Sequence, residues 1–164
     1  DGVFDLGLAA VLDAFQTANE LNELLQLGAA PIEARIVGVR RRVRTSQGLL
    51  VPVSGAQRRA PDIAVVPAVG YKMPGPLEQA LARRDVADAA KLLRDWFESG
   101  SLVSAACIGT FLLAESGVLE EQDATTTWWL APLFRRRYPG VKLDESRMLV
   151  RSGRIVTAGA ALGH

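Results

Sequence analysis

One stretch of this sequence has the make-up of a reactive turn: Ser104-Ala105-Ala106-Cys107-Ile108-Gly109-Thr110, a strand-like segment running into a helix-like one with a lone thiol at the junction. A nucleophile held on a sharp strand-to-helix turn needs small neighbours, because bulky side chains there would collide with the strand or the helix. At a helix start the free N–H groups and the dipole favour thiolate over thiol, so the position predicts a lowered pKa for Cys107. A free cysteine also packs as a small buried hydrophobe. On the residues alone, both readings stand: a reactive thiol lining a pocket, or an inert core side chain.

Nucleophilic chemistry needs a base within hydrogen-bond reach, and commonly an acid to orient it. His164 is the only histidine, 57 residues beyond Cys107. It reads either as that base or as a surface residue. Trp128-Trp129 follows Thr125-Thr126-Thr127. Two adjacent indoles cannot both face one helical core, so one of them is expected to line a pocket or an interface. Arg40-Arg41-Arg42, Arg44 and Arg135-Arg136-Arg137 read as solvated surface. With no Gly-x-Gly-x-x-Gly and no Gly-Lys pair, neither common nucleotide-binding loop has support.

The elements that must position these residues alternate in type. Leu8, Val11, Leu12, Phe15 and Ala18 recur at helical spacing and predict a helix from about Asp5 to about Leu27, stopped at Gly28. Ile32 to Val39 reads as a strand, and Arg42 to Thr45 with Leu49 to Val53 as a hairpin about Ser46-Gln47-Gly48. Ile63-Ala64-Val65-Val66 is continuously apolar, the pattern of a strand buried on both faces of a parallel sheet. Pro67 to Pro76 reads as a loop at that strand's end, a place where α/β folds put binding groups. Asp85 is expected to cap a helix that ends at Gly100. Leu102 to Ala105 is a strand, Ile108 to Ser116 a helix and Trp129 to Tyr138 another, while Met148 to Val150 and Ile155 to Thr157 form a last hairpin. Helices alternating with buried strands predict an α/β sandwich.

Composition sets the outer bounds. The 164 residues, 49% of them hydrophobic, suit one globular domain with one core, residues 1–164. A single cysteine forbids an internal disulfide and, with one histidine, leaves no structural zinc site, so a reducing, cytoplasmic setting is expected. No apolar run approaches a membrane span. The 19 basic and 18 acidic residues make no field that would attract nucleic acid. The opening at Asp1-Gly2 and the helix-like start at Ala158 to His164 give the expectation of a piece of a longer chain.

The order Asp1-Gly2-Val3-Phe4-Asp5, Leu12-Asp13-Ala14-Phe15, Asp62-Ile63-Ala64-Val65-Val66-Pro67, Cys107 to Ala114, Ala124 to Trp128 and Thr157-Ala158-Gly159-Ala160 resembles the ThiJ/PfpI (class I glutamine amidotransferase-like) superfamily. Within it the sequence looks most like the N-terminal domain of AraC-type transcriptional regulators. The resemblance implies a flavodoxin-like three-layer sandwich with a mostly parallel central sheet and a cysteine nucleophile elbow. It also implies a first strand before Asp1 and a C-terminal helix-turn-helix module that binds DNA, both outside this sequence. Related hydrolases and hydratases of the superfamily use the elbow cysteine with a histidine and an acid. Carried over, Cys107 matches the nucleophile. The histidine position holds Thr127, the acid position Gly7, and a glycine of the oxyanion site is Ala68.

A threonine hydroxyl is no base near neutral pH, so the resemblance implies a domain that senses a small-molecule effector and dimerises without catalysing a reaction. It needs no cofactor and no metal. Its pocket would comprise Asp5, Gly70, Cys107, Ile108, Thr127 and Trp128. Two alternatives remain: a Cys107-dependent enzyme, isonitrile hydratase-like or an amide hydrolase, with His164 or a partner chain as base; and a thiol-based redox sensor.

Overall fold

The computed structural model describes residues 1–55 and 59–161. His164, and with it the candidate base, lies outside the described residues; Ala158, where a helix is expected to start, is instead the last residue of a strand, and the chain bends at Gly159 and Ala160. Helix α1 (Asp5–Leu24) presents one partly buried stripe and buries only Gly7 fully. It ends three residues before the expected Leu27, and the chain turns away through Gln26 (φ 50°) and Gly28 (φ 67°).

The segment after α1 departs from expectation for a definite reason. Of Ile32 to Val39 only β1 (Val37–Gly38) is a strand. The residues before it run along α1, held by two asparagines one turn apart. The Asn19 amide donates to the Ile32 carbonyl (2.9 Å) and accepts from the Ile32 N–H (2.7 Å). Asn22 does the same for Ala29, at 2.8 and 3.2 Å. Side chains thus satisfy backbone groups that a neighbouring strand would otherwise satisfy.

Strands β2 (Arg42–Arg44) and β3 (Leu50–Pro52) form the expected hairpin, and β4 (Ser54–Gly55) pairs in parallel with β1. β5 (Ile63–Val66) buries Ala64 and Val66, but Ile63 is 53% exposed. The expectation of burial on both faces is therefore corrected: β5 is the terminal strand of its sheet, and the position where it begins is uncovered. The last three residues of the expected Pro67 to Pro76 loop instead begin helix α2 (Pro74–Leu81). Pro74 opens the helix, where the missing N–H costs nothing. In α3 (Arg84–Glu98) the N-cap is Arg83. Asp85 sits inside the first turn and binds Arg83 instead of capping.

β6 (Leu102–Ala106) leads through Cys107 into α4 (Gly109–Glu115). The two-residue strand β7 (Asp123–Ala124) precedes a 3₁₀ turn (Trp128–Leu130) and α5 (Ala131–Arg137), so the helix expected from Trp129 to Tyr138 is split. β8 (Lys142–Leu143) pairs with β7, and β9 (Leu149–Ser152) with β10 (Ile155–Ala158) completes the last hairpin. The main sheet runs β5-β6-β10-β9, parallel except for β9. Phe111, Leu113, Leu119, Leu130, Phe134 and Ile155 are fully buried, and Phe111 meets Phe134 edge to face at 4.9 Å. Burying each such side chain contributes roughly 1.5–3 kcal/mol. That packing fixes α4, and α4 fixes the turn at Cys107. Among the described residues no helix is long and apolar enough to cross a membrane.

Candidate functional site

Cys107 stands at the apex of the bend between β6 and α4 with φ +54°, a left-handed conformation that costs a side-chain-bearing residue about 1–2 kcal/mol. Sheet hydrogen bonding holds it there: its N–H donates to the Ala158 carbonyl at 2.7 Å, one step beyond the β6–β10 ladder. The small neighbours have a measurable reason. A Cβ placed on Gly109 would lie 2.6 Å from the Pro67 carbonyl oxygen and 2.9 Å from that of Val66, both backbone atoms at the end of β5. Only glycine lets α4 approach that closely.

Burial works against ionisation of the thiol. Cys107 is 6% exposed, and burial pushes its pKa above the ordinary thiol value. The N–H groups of Ile108 and Ala161 and the Thr127 hydroxyl pull the other way without overcoming it. The expectation of a lowered pKa is corrected accordingly: desolvation outweighs the dipoles at this turn.

The threonine run closes over the cysteine. Thr125 N–H donates to Thr157 Oγ1 (2.8 Å), Thr125 Oγ1 donates to the Arg147 carbonyl (2.8 Å), and Thr126 Oγ1 donates to the Cys107 carbonyl (2.9 Å). Thr127 is completely buried beside the thiol, yet among the described residues its hydroxyl makes no hydrogen bond of normal geometry. The hydroxyl of Thr110, also fully buried, likewise has no partner among the described residues. Thr126 and Thr110 were not singled out by sequence reasoning. The run of three threonines was the available signal, but nothing in it says which hydroxyl is spent on the backbone.

Gly7 faces this region: a Cβ there would sit 3.7 Å from the Ala68 Cβ and 3.9 Å from the Ala161 Cβ. Ile108 is buried and caps α4. Asp5 and Gly70 meet at the β2–β3 turn. Asp5 accepts from Ser46 Oγ (2.9 Å) and the Gln47 N–H (3.1 Å). Its carboxyl is held below the usual range, chiefly by the Thr45 hydroxyl. Gly70 donates to the Gly2 carbonyl (2.7 Å), and a Cβ on it would strike Ser46. Trp128 is 72% exposed, with its ring edge-on to Trp129 at 5.9 Å, and Trp129 Nε1 donates to the Lys72 carbonyl at 3.1 Å. An open groove of about 780 Å³ runs between α1 and the segment it holds, lined by Leu12, Phe15 and Ile32 among others. It shares no lining residue with the Cys107 turn. No group of three His, Cys, Asp or Glu is placed to hold a metal among the described residues.

The sequence pattern of the DJ-1/PfpI family matches residues 2–162. An uncharacterized protein of the cpoL 5′ region in Streptomyces lividans is 30% identical over 141 residues, covering 85% of this chain and 90% of that protein. Among solved structures, an AraC family transcriptional regulator from Pseudomonas putida superposes with a TM-score of 0.77 at 17% identity, over 99% of this chain and 81% of that one. DJ-1beta from Drosophila melanogaster superposes at 0.69 with 18% identity, over 99% and 78%. At such identities these likenesses speak for the fold, flavodoxin-like α/β. With the family pattern spanning nearly every residue, the chain belongs to the DJ-1/PfpI family.

Proposed function

We propose that this chain is the effector-sensing and dimerisation domain of an AraC-type transcriptional regulator, and that its Cys107 site binds a small molecule without transforming it. One observation carries the reading. The bend at Cys107 is intact, with a left-handed residue held by β10 and a glycine against β5. Yet the polar groups around the thiol, among the described residues, are the Thr127 hydroxyl and backbone amides. None of these accepts a proton near neutral pH, and the thiol's own raised pKa keeps it in the less nucleophilic form. Such a site retains shape and hydrogen bonding while lacking the means of proton transfer.

A bound effector would act by stabilising one state of the regulator over another, and DNA would be contacted by a separate helix-turn-helix module in the cytoplasm. The overlap with the Pseudomonas putida regulator is consistent with that placement. Sequencing the gene beyond the codon for His164 tests the architecture: a helix-turn-helix pair is expected, and a stop codon directly after it would overturn the assignment.

The strained φ at Cys107 favours a second reading, a Cys107-dependent hydratase or amide hydrolase, since backbone strain of this kind clusters at active sites. Turnover of a nitrile, isonitrile and amide panel that disappears in Cys107→Ala would establish it. The redox-sensor reading is weakened by burial, because oxidation follows thiolate character and exposure.

A further inference from the structure

Resting on the dimerisation part of the function proposed above, we infer that the outward face of α1 docks a second copy of this chain, the two helices antiparallel about a two-fold axis. Leu6, Ala10, Ala14, Thr17, Leu21 and Leu24 fall on one side of α1 at helical spacing. None of them is buried, and the three leucines are 53%, 47% and 75% exposed. The partly buried stripe of α1 lies on its other side, and none of the six lines the groove beside that stripe. A helix with apolar residues on two opposed sides has one side left to cover.

The order of the stripe suits a second copy of itself. Read in reverse it matches: Leu6 meets Leu24, Ala10 meets Leu21 and Ala14 meets Thr17. A two-fold contact needs that self-complementarity, because each pair occurs twice about the axis. Leucines close the two ends, while Ala14 and Thr17 at the centre leave room for the helix axes to approach. Asp13, beside the stripe, falls opposite Thr17 and not opposite its own copy.

Charge points to the same arrangement independently. α1 has no basic residue, and Glu20 and Glu23 stand in its last two turns, where the partial negative charge of the helix end opposes them. Glu20 accepts from Gln16 at 2.8 Å, and among the described residues neither glutamate has a cation within ion-pair distance. The β2–β3 hairpin is fastened to the opposite end of α1, through the bonds from Ser46 and Gln47 to Asp5. It carries Arg42 and Arg44, both exposed and without a carboxylate partner among the described residues. Antiparallel packing lays the Glu20 and Glu23 end of each helix beside the Arg42 and Arg44 end of the other, twice over. Parallel packing would set acids against acids.

Sedimentation equilibrium of the 164-residue chain is expected to show a dimer. Leu21→Glu with Leu24→Glu, at exposed positions, is expected to weaken association about tenfold or more with helical circular dichroism retained. Glu20→Lys with Glu23→Lys is expected to weaken it likewise, and adding Arg42→Glu with Arg44→Glu to restore it. In a Cys107→Ala background, oxidising an equal mixture of Leu6→Cys and Leu24→Cys chains is expected to give a disulfide-linked dimer. Either chain alone should give little, since its two cysteines would stand about 27 Å apart. Should the glutamate variant not fold, the charge exchange and the cross-linking decide. A monomer at high micromolar concentration, a dimer indifferent to Leu21→Glu with Leu24→Glu, or cross-linking of either chain alone equal to that of the mixture would overturn the inference. Ligand-dependent operator affinity in a dimer that ignores every α1 change would keep the proposed function and remove this face. An α1 dimer whose complete gene product shows operator affinity indifferent to every ligand would do the reverse.

Discussion

Thr126 Oγ1 donates a 2.9 Å hydrogen bond to the carbonyl of Cys107, fastening the segment before the 3₁₀ turn to the strained bend between β6 and α4. Both partners are buried, so the bond has no water to replace it. Thr126→Val keeps the side chain's shape and strands the Cys107 carbonyl. A stability loss of about 1–2 kcal/mol is expected in urea unfolding, with Thr126→Ser losing less. Equal stability of Thr126→Val and wild type would mean that the bend is held by the sheet alone.

The Cys107 thiol should react slowly and with an alkaline profile. Burial raises its pKa above the ordinary 9.0, so at neutral pH iodoacetamide is expected to modify the folded chain at least about tenfold more slowly than the urea-unfolded one. The folded state prefers the neutral thiol, so this contribution is complete below the unfolded pKa and is lost as pH rises through the higher folded value. Cys107→Ala should flatten the alkaline limb of stability against pH. A folded-state alkylation rate that levels off near pH 7 would contradict the raised pKa.

At the acid end the relevant pair is Asp85 and Arg83. The Asp85 carboxylate is buried and takes two bonds from Arg83, Nε at 2.9 Å and Nη2 at 2.7 Å. These hold its pKa down to about 2, from 3.8. A depressed carboxylate stabilises the fold above its unfolded pKa, and that stability disappears as pH falls through the folded value. The contribution is on the order of 2 kcal/mol. Asp85→Asn should lose about that much at pH 7 and show a weaker dependence between roughly pH 5 and pH 2. An unaltered acid limb in Asp85→Asn would assign the acid sensitivity to other carboxylates.

Gly109 should tolerate no side chain. Alanine is the better helix former by about 1 kcal/mol, but here its Cβ would meet the Pro67 and Val66 carbonyl oxygens, which are backbone and cannot rotate away. Gly109→Ala is expected to destabilise by about 2–3 kcal/mol in thermal or urea unfolding. A gain in Tm would show that α4 can back away from β5.

How much of this was legible in the sequence depends on whether local or distant groups decide each feature. The bend at Cys107 could be read because Ala105, Ala106 and Gly109 are local signatures of a tight approach. The strand at Ile63 could be read for the same reason, although its exposed start could not, since exposure depends on what covers an edge. The extended run before Val37 was misread as a strand because its partners are the side chains of Asn19 and Asn22, not a neighbouring backbone. Asp85 looked like a cap because its type and position suit one, and Arg83 two residues earlier claimed it. The same limit applies to the site. The direction of the Cys107 pKa is set by burial, which outweighs hydrogen bonds from groups as far along the chain as Ala161, and no local dipole argument anticipates that. Asp5 and Gly70, grouped with the pocket on resemblance, both meet Ser46, a contact that no local pattern announces.

Operator affinity measured on the complete gene product with and without a bound ligand tests most directly the proposal that the Cys107 site senses and does not catalyse. A ligand that raises the Tm of wild type is expected to change operator affinity by about fivefold or more, the usual scale of allosteric coupling, and to come through the assay chemically unchanged. Operator affinity that stays constant at saturating ligand, together with ligand consumption that Cys107→Ala abolishes, would contradict it.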